Sequence, residues 1–279
     1  MKKYSLPEIE MEDAFTDVLG KAFRGQNFDL KKLALDNDLP LESLQQLLKG
    51  KLEIGSLEKI APALGLNTKS LIALAKKNYK PKPIKPFGGF AHFSTPFGDM
   101  MVNSYLIWNQ ETKLAAAFDT GSDVSDMLDI INGENLNLES VFITHAHGDH
   151  IFDLERLLEK TKAQAYAGKG EDVFGAKSFS SGREFKISNL KIETRLTSGH
   201  SIGGISYIVS GLEHQLAFVG DALFAGSMGG GNISYQQALE CNARELFTLP
   251  DTTIICPGHG PLTTLGEEKH NNPFYTISL

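Results

Sequence analysis

VFITHAHGDHIFDLERL, residues 141–157, joins an apolar run to a helical one through six residues of concentrated chemistry. Val141 to Thr144 is β-branched and aromatic, the composition of a buried strand. His145-Ala-His147-Gly-Asp149-His150 follows at once. Where a strand ends in extended backbone, residues two apart point the same way, so His145 and His147 can reach one ion together. Gly148 permits a tight turn. Asp149 and His150 then open a helix predicted over 149–160, from which they can aim at a second ion beside the first. Imidazole mixed with carboxylate suits zinc, with iron or manganese as alternatives. A single histidine near a strand end is ordinarily a satisfied polar residue. Three histidines and an aspartate within six residues, directly after an apolar strand, form a ligand set.

Outward from this stretch, apolar strand patterns recur at SYLIW (104–108), LAAAFD (114–119), ISYIV (205–209), LAFVG (216–220) and TIIC (253–256). Helical spacing fits 122–132 and 235–247. The alternation predicts an α/β domain whose helices cover sheet faces. Three strand-end loops carry a ligand type beside a glycine: Gly199-His200 after LKIETRL (190–196), Gly220-Asp221, and Gly258-His259-Gly260 after TIIC. Taken alone, each suits a cap or a turn. Loops at the carboxyl ends of strands gather into sites, and together these three supply the ligands a binuclear centre still lacks.

These motifs, in this order, resemble the metallo-β-lactamase fold superfamily, and within it glyoxalase II-like hydrolases most closely. The resemblance covers about residues 88–274. It is carried by HAHGDH (145–150), FDTG (118–121), SGHS (198–201), GDALFAGSMG (220–229), CPGHGPLTTLGEEK (256–269) and NNPF (271–274). It implies an αββα sandwich with two divalent metal ions at one edge. By the resemblance, His145, His147 and His200 hold one ion, Asp149, His150 and His259 hold the other, and Asp221 bridges them. Asp119 is similar to the carboxylate that orients ligands from behind.

Two divalent ions roughly 3.5–4 Å apart can ionise a shared water near neutral pH. Attack on an ester, thioester, amide or lactone carbonyl then requires no Ser or Cys nucleophile, and Asp149 or water protonates the leaving group. The expected partner is a small acyl thioester or ester. Two other activities share nearly all of these ligands: a mononuclear-iron persulfide dioxygenase and a lactonase. In glyoxalase II a C-terminal helical region helps hold glutathione. This chain runs only to Leu279, so that region is expected to be absent. Gly230 and Gly231 follow Gly229 where many relatives carry an arginine. A smaller or different acyl group is therefore as suitable a substrate as S-lactoylglutathione.

The chain changes character near residue 80. Residues 1–78 are expected to be all-α, 79–87 a Pro/Lys-rich linker, and 88–279 the hydrolase domain. KNYKPKPIKP (77–86) carries three prolines, which block helix and favour extended chain. FDLKKLALDNDLPLESLQQLLKGKLEIGSLEKIAPALGLNTKSLIAL (28–74) resembles a Cro/repressor-type helix-turn-helix domain, chiefly at packing and turn positions. Such a fold would direct Leu41, Glu42, Ser43 and Gln46 toward bases. Glu42 repels phosphate, and residues 1–80 carry 13 basic against 11 acidic side chains, little for phosphate neutralisation. DNA is thus a weaker expected partner than a role in packing, substrate covering or homodimer formation. The net charge of −7 argues against coating nucleic acid or membrane. MKKYSLPEIEMED lacks the apolar core of a signal peptide, and no apolar run approaches membrane-spanning length, so the cytoplasm is the expected compartment.

Cys241 and Cys256 suit buried small hydrophobes better than a disulfide. His92, His214 and His270 are expected to be surface or satisfied histidines, with His92 able to line the cleft. Tyr166 and Tyr235 are candidates for a hydroxyl near the metals. Trp108, Phe118, Phe142 and Phe218 belong to the core, and Asn271 to Pro273 lock the C-terminal turn against the sheet.

Overall fold

A computed structural model describes residues 3–275. Five helices come first: α1 (Phe15–Gly25), α2 (Leu30–Asp36), α3 (Leu41–Leu48), α4 (Ile54–Ala63) and α5 (Thr68–Ala75). Local chemistry starts two of them, Asp29 accepting from Lys32 N and Asn67 from Ser70 N. Twelve strands then form two six-stranded sheets. The first sheet runs in chain order: β1 (Phe90–Phe97), β2 (Met100–Trp108), β3 (Leu114–Phe118), β4 (Asn137–Ile143), β5 (Gln164–Gly168) and β6 (Ala176–Phe179). The second is ordered β12 (Thr263–Thr264), β11 (Ile254–Pro257), β10 (Leu216–Gly220), β9 (Ile205–Ser210), β8 (Leu190–Leu196) and β7 (Glu184–Ile187).

Period-two alternation sorts the side chains into layers. Phe118, Phe142, Tyr207, Phe218 and Cys256 face inward and fill the space between the sheets. Ala115, Ala117, Val141 and Ile143 face outward under α6 (Ser125–Gly133) and α8 (Leu154–Thr161). On the second sheet Ala217, Val219 and Ile255 face outward. There they meet α9 (Tyr235–Glu245), α10 (Leu265–Asn271) and the five N-terminal helices, all within one continuous apolar cluster. The molecule is a four-layer αββα sandwich whose second outer layer is thickened by the N-terminal helices.

Segment 78–88 has no regular secondary structure, yet Tyr79, Pro81 and Phe87 within it are buried. Tyr79 donates to Glu268, a fully buried carboxylate that also receives Thr263 Oγ1, Gly226 N and Asn272 Nδ2 at 2.8–2.9 Å. Asn272 thus does hold the C-terminal turn, reaching Ser227 O as well (2.8 Å). Both cysteines are free and buried.

Two expectations need correction. The helix predicted over 149–160 is two pieces, α7 (Gly148–Ile151) and α8, because Asp153 is diverted. Its carboxylate accepts from Val124 N (2.9 Å) and Arg156, and its own N–H turns toward Thr120 Oγ1. His92 is neither at the surface nor satisfied. It lies 6% exposed against the Tyr105 ring, with no hydrogen-bond partner for either nitrogen among the described residues, and burial lowers its pKa to about 4. Tyr166 and Tyr235 belong to the apolar clusters. His214 and His270 are exposed, each with a neighbouring partner.

Candidate metal centre

Four strand ends deliver the site. The loop after β4 carries His145 and His147, and α7 carries Asp149 and His150. His200 follows β8, Asp221 follows β10, and His259 follows β11. Gly258 has a specific reason to lack a side chain: a Cβ there would stand 2.3 Å from Asp221 Oδ1 and 2.6 Å from His150 Cε1. Any larger residue would push apart the two strand ends that meet at the site.

The seven side chains form two clusters. His145, His147, His200 and Asp221 bring one ligand atom each within 4.8 Å of one another, and so do Asp149, His150 and His259. His147 Nδ1 lies 3.0 Å from both His145 Nε2 and His200 Nε2. Asp221 spans the clusters, its Oδ2 3.4 Å from His200 Nε2 and its Oδ1 3.3 Å from His150 Nε2. Asp149 Oδ2 is 3.1 Å from His259 Nε2.

The surroundings determine which ring nitrogens face inward. His150 Nδ1 meets Asp119 Oδ2 (2.8 Å), His200 Nδ1 meets Gly230 O (2.8 Å), and His259 Nδ1 meets Met101 O (2.7 Å). Thr144 Oγ1 donates to Asp119 (2.7 Å), so it must accept from His145 Nδ1 (3.1 Å). Each outer nitrogen therefore carries the proton when its ring is neutral, and four Nε2 lone pairs converge on the clusters. Lone pairs and carboxylate oxygens packed this closely repel one another unless cations lie between them. Buried His150 Nε2 and Asp221 Oδ1 have no hydrogen-bond partner among the described residues, despite their proximity. The donor set fits divalent metal ions.

The charge field agrees. Burial opposes ionisation of Asp221, but His150 and His259 outweigh it and hold the carboxyl well below its usual range. Burial likewise disfavours charge on His150, yet Asp119 and Asp221 raise its pKa well above the ordinary value. A site negative enough to hold a proton there attracts a metal ion equally. For His145 and His200 burial dominates and lowers both pKa values, leaving them neutral and ready to ligate.

Asp119 lies behind His150 and also takes Thr144 N (2.8 Å). Thr144, Gly230 O and Met101 O were not foreseen, because a carbonyl acceptor has no sequence signature. Nor was Glu171, which receives Ala146 N and Gly203 N at 2.7 Å each and ties the His145 loop to the loop after His200. Several apolar side chains within two residues of the clustered side chains, or of a group bonded to them, are exposed. Phe152 is 66% exposed and packs against Phe97, and Ile202, two residues beyond His200, is 63% exposed. Met100 and Met101 are exposed beside His259.

Residues 97–259 match the family described as the metallo-beta-lactamase superfamily. The chain is 31% identical over 206 residues to "Probable metallo-hydrolase YqgX" of Bacillus subtilis, covering 64% of this chain and 94% of that protein. It is 29% identical over 197 residues to hydroxyacylglutathione hydrolase GloC of Haemophilus influenzae, covering 62% of this chain and 92% of that one. Among solved structures, ETHE1 from Myxococcus xanthus superposes with a TM-score of 0.58 at 29% identity, over 66% of this chain and 83% of that one.

Proposed function

The chain belongs to the metallo-beta-lactamase superfamily, and on that premise we propose that it is a two-metal hydrolase cleaving the carbonyl of a small thioester or ester, glyoxalase II-like in chemistry. One observation carries the proposal: two ligand clusters share Asp221, each of whose oxygens faces a different cluster. His145, His147 and His200 would hold one ion, Asp149, His150 and His259 the other, with zinc the best match to these donors. Bound divalent ions supply ionised water at neutral pH and draw electrons from the carbonyl oxygen. Around them the protein fixes ring orientation through Asp119, Thr144, Met101 and Gly230. Asp149 would take the proton of the attacking water and return it to the departing thiolate or alkoxide as the acyl bond breaks. The exposed apolar side chains of Phe152, Ile202 and Met101, close in the chain to His150 and His200 or bonded through the backbone to His259, would suit an apolar part of the substrate, and the relative named hydroxyacylglutathione hydrolase supports the thioester class.

The N-terminal helices, helix-turn-helix-like in sequence, are proposed to serve the enzyme and not a DNA site, since their core is continuous with the catalytic layer. The mononuclear-iron persulfide dioxygenase shares nearly all of these ligands and is favoured by the ETHE1 likeness, so metal content and not the ligand set separates it from the hydrolase. Metal analysis and a panel of thioesters, lactones and persulfides separate these activities. Two zinc ions per chain with thioester or ester hydrolysis is expected. One iron per chain with oxygen-dependent persulfide turnover would overturn the proposal.

A further inference from the structure

The N-terminal unit reaches the metal centre through a buried ion pair. Lys21, on α1, is 13% exposed at its side chain and pairs with Asp13, 9% exposed, just before the helix. Lys21 Nζ also donates to Met228 O (2.8 Å), and Ser227 Oγ donates to Asp13. The same ammonium lies 5.2 Å from the centre of the Phe224 ring, which packs edge-on against His259. Residues 227 and 228 are thus held by side chains some 200 positions earlier in the chain.

The next two residues of that loop position ligands. Gly229 N donates to Asp221 O (2.9 Å), and Gly230 O accepts from His200 Nδ1 (2.8 Å). A shift of Met228 would carry both contacts with it, loosening the backbone of the bridging aspartate and the orientation of His200. Asn272 Nδ2 also grips Ser227 O, but among the described residues no other side-chain hydrogen bond reaches Met228 O from outside the loop.

We propose that the Asp13–Lys21 pair is a positioning device for the three-histidine cluster, through which the N-terminal helices set the metal affinity of that site. The proposal rests on the two-metal assignment above. Removal of a contact that orients a metal-bound histidine lowers affinity by roughly 10–100-fold in general. Lys21 lies one further contact away, so a loss of about 10-fold is expected.

The test is calorimetric titration of metal-free protein with zinc. Wild type should take up two ions. Lys21→Met should weaken one constant about tenfold, as should Asp13→Asn/Lys21→Met, which leaves no uncompensated buried charge. The loss should persist in a His259→Ala background, where only the three-histidine cluster remains complete. Leu57→Ala, in the fully buried core of the same helices, should lower the melting temperature and leave both zinc constants unchanged. Wild-type constants in both Lys21 variants overturn the device. So does an equal zinc loss in Leu57→Ala, no loss in the His259→Ala background, or failure of both Lys21 variants to fold. Failure of wild type to bind zinc would instead remove the two-metal assignment.

Discussion

Asp119→Asn isolates one carboxylate behind the metal centre. Asp119 sits at φ +54°, a left-handed conformation that asparagine tolerates, so the backbone should be kept. The carboxylate accepts three hydrogen bonds: Thr144 N, Thr144 Oγ1 and His150 Nδ1, at 2.7–2.8 Å. An asparagine can keep the first through its carbonyl oxygen, but its NH2 then faces the other two. His150 Nδ1 must become an acceptor, which moves the ring proton to Nε2, 3.3 Å from Asp221 Oδ1. That proton occupies the direction from which His150 would ligate. Loss of such an orienting partner weakens metal binding by roughly 10–100-fold, or about 1.4–2.7 kcal/mol. The loss should fall chiefly on the cluster of Asp149, His150 and His259, because Asp119 touches His150 directly and reaches the other cluster only through Thr144 and His145. Competition for zinc against a chromophoric chelator, fitted with two sites, should show one constant weakened and the other within about threefold of wild type. Two unchanged constants would refute the tautomer reasoning, and equal weakening of both would show Asp119 to be a general structural prop.

Burial raises the pKa of Glu268 from 4.5 to about 7, against the pull of its four donors. The native state then binds this proton more tightly than the unfolded chain. The stabilisation is full below pH 4.5 and fades as pH rises through 7, by about 3 kcal/mol; urea unfolding of Glu268→Gln should lack that component of the pH slope. Phe152→Ala should raise KM roughly fivefold with kcat nearly unchanged, if about 1 kcal/mol of apolar contact to substrate is lost; a fall in kcat alone would place Phe152 outside substrate binding. Chelation of zinc should lower the melting temperature. An ion held at 1,000 times its Kd adds about 4 kcal/mol, roughly 8–16 °C for a chain of this size, and an unchanged melt in excess chelator would contradict metal-linked stability.

The sequence by itself marked the candidate ligands and the strands that carry them. HAHGDH directly after VFIT, and His200, Asp221 and His259 each beside a glycine after an apolar run, are local patterns. Strand period, turn glycine and ligand type all lie within a few residues of one another, so they can be read without three-dimensional knowledge. The layered α/β architecture followed for the same reason, since period-two alternation records which face of each strand is buried. Tertiary structure alone decided what stands behind the ligands. Gly230 O and Met101 O are backbone atoms that any residue would offer, and only the fold aims them at His200 and His259. Asp13 and Lys21 look like ordinary surface charges in a +2 segment. They become a buried pair because α1 packs over a loop some 200 residues away, a contact created by long-range burial of apolar surface that leaves no periodicity in the chain. His92 shows the reverse: its strand was legible, but its burial without partners depends on how the two sheets close over β1.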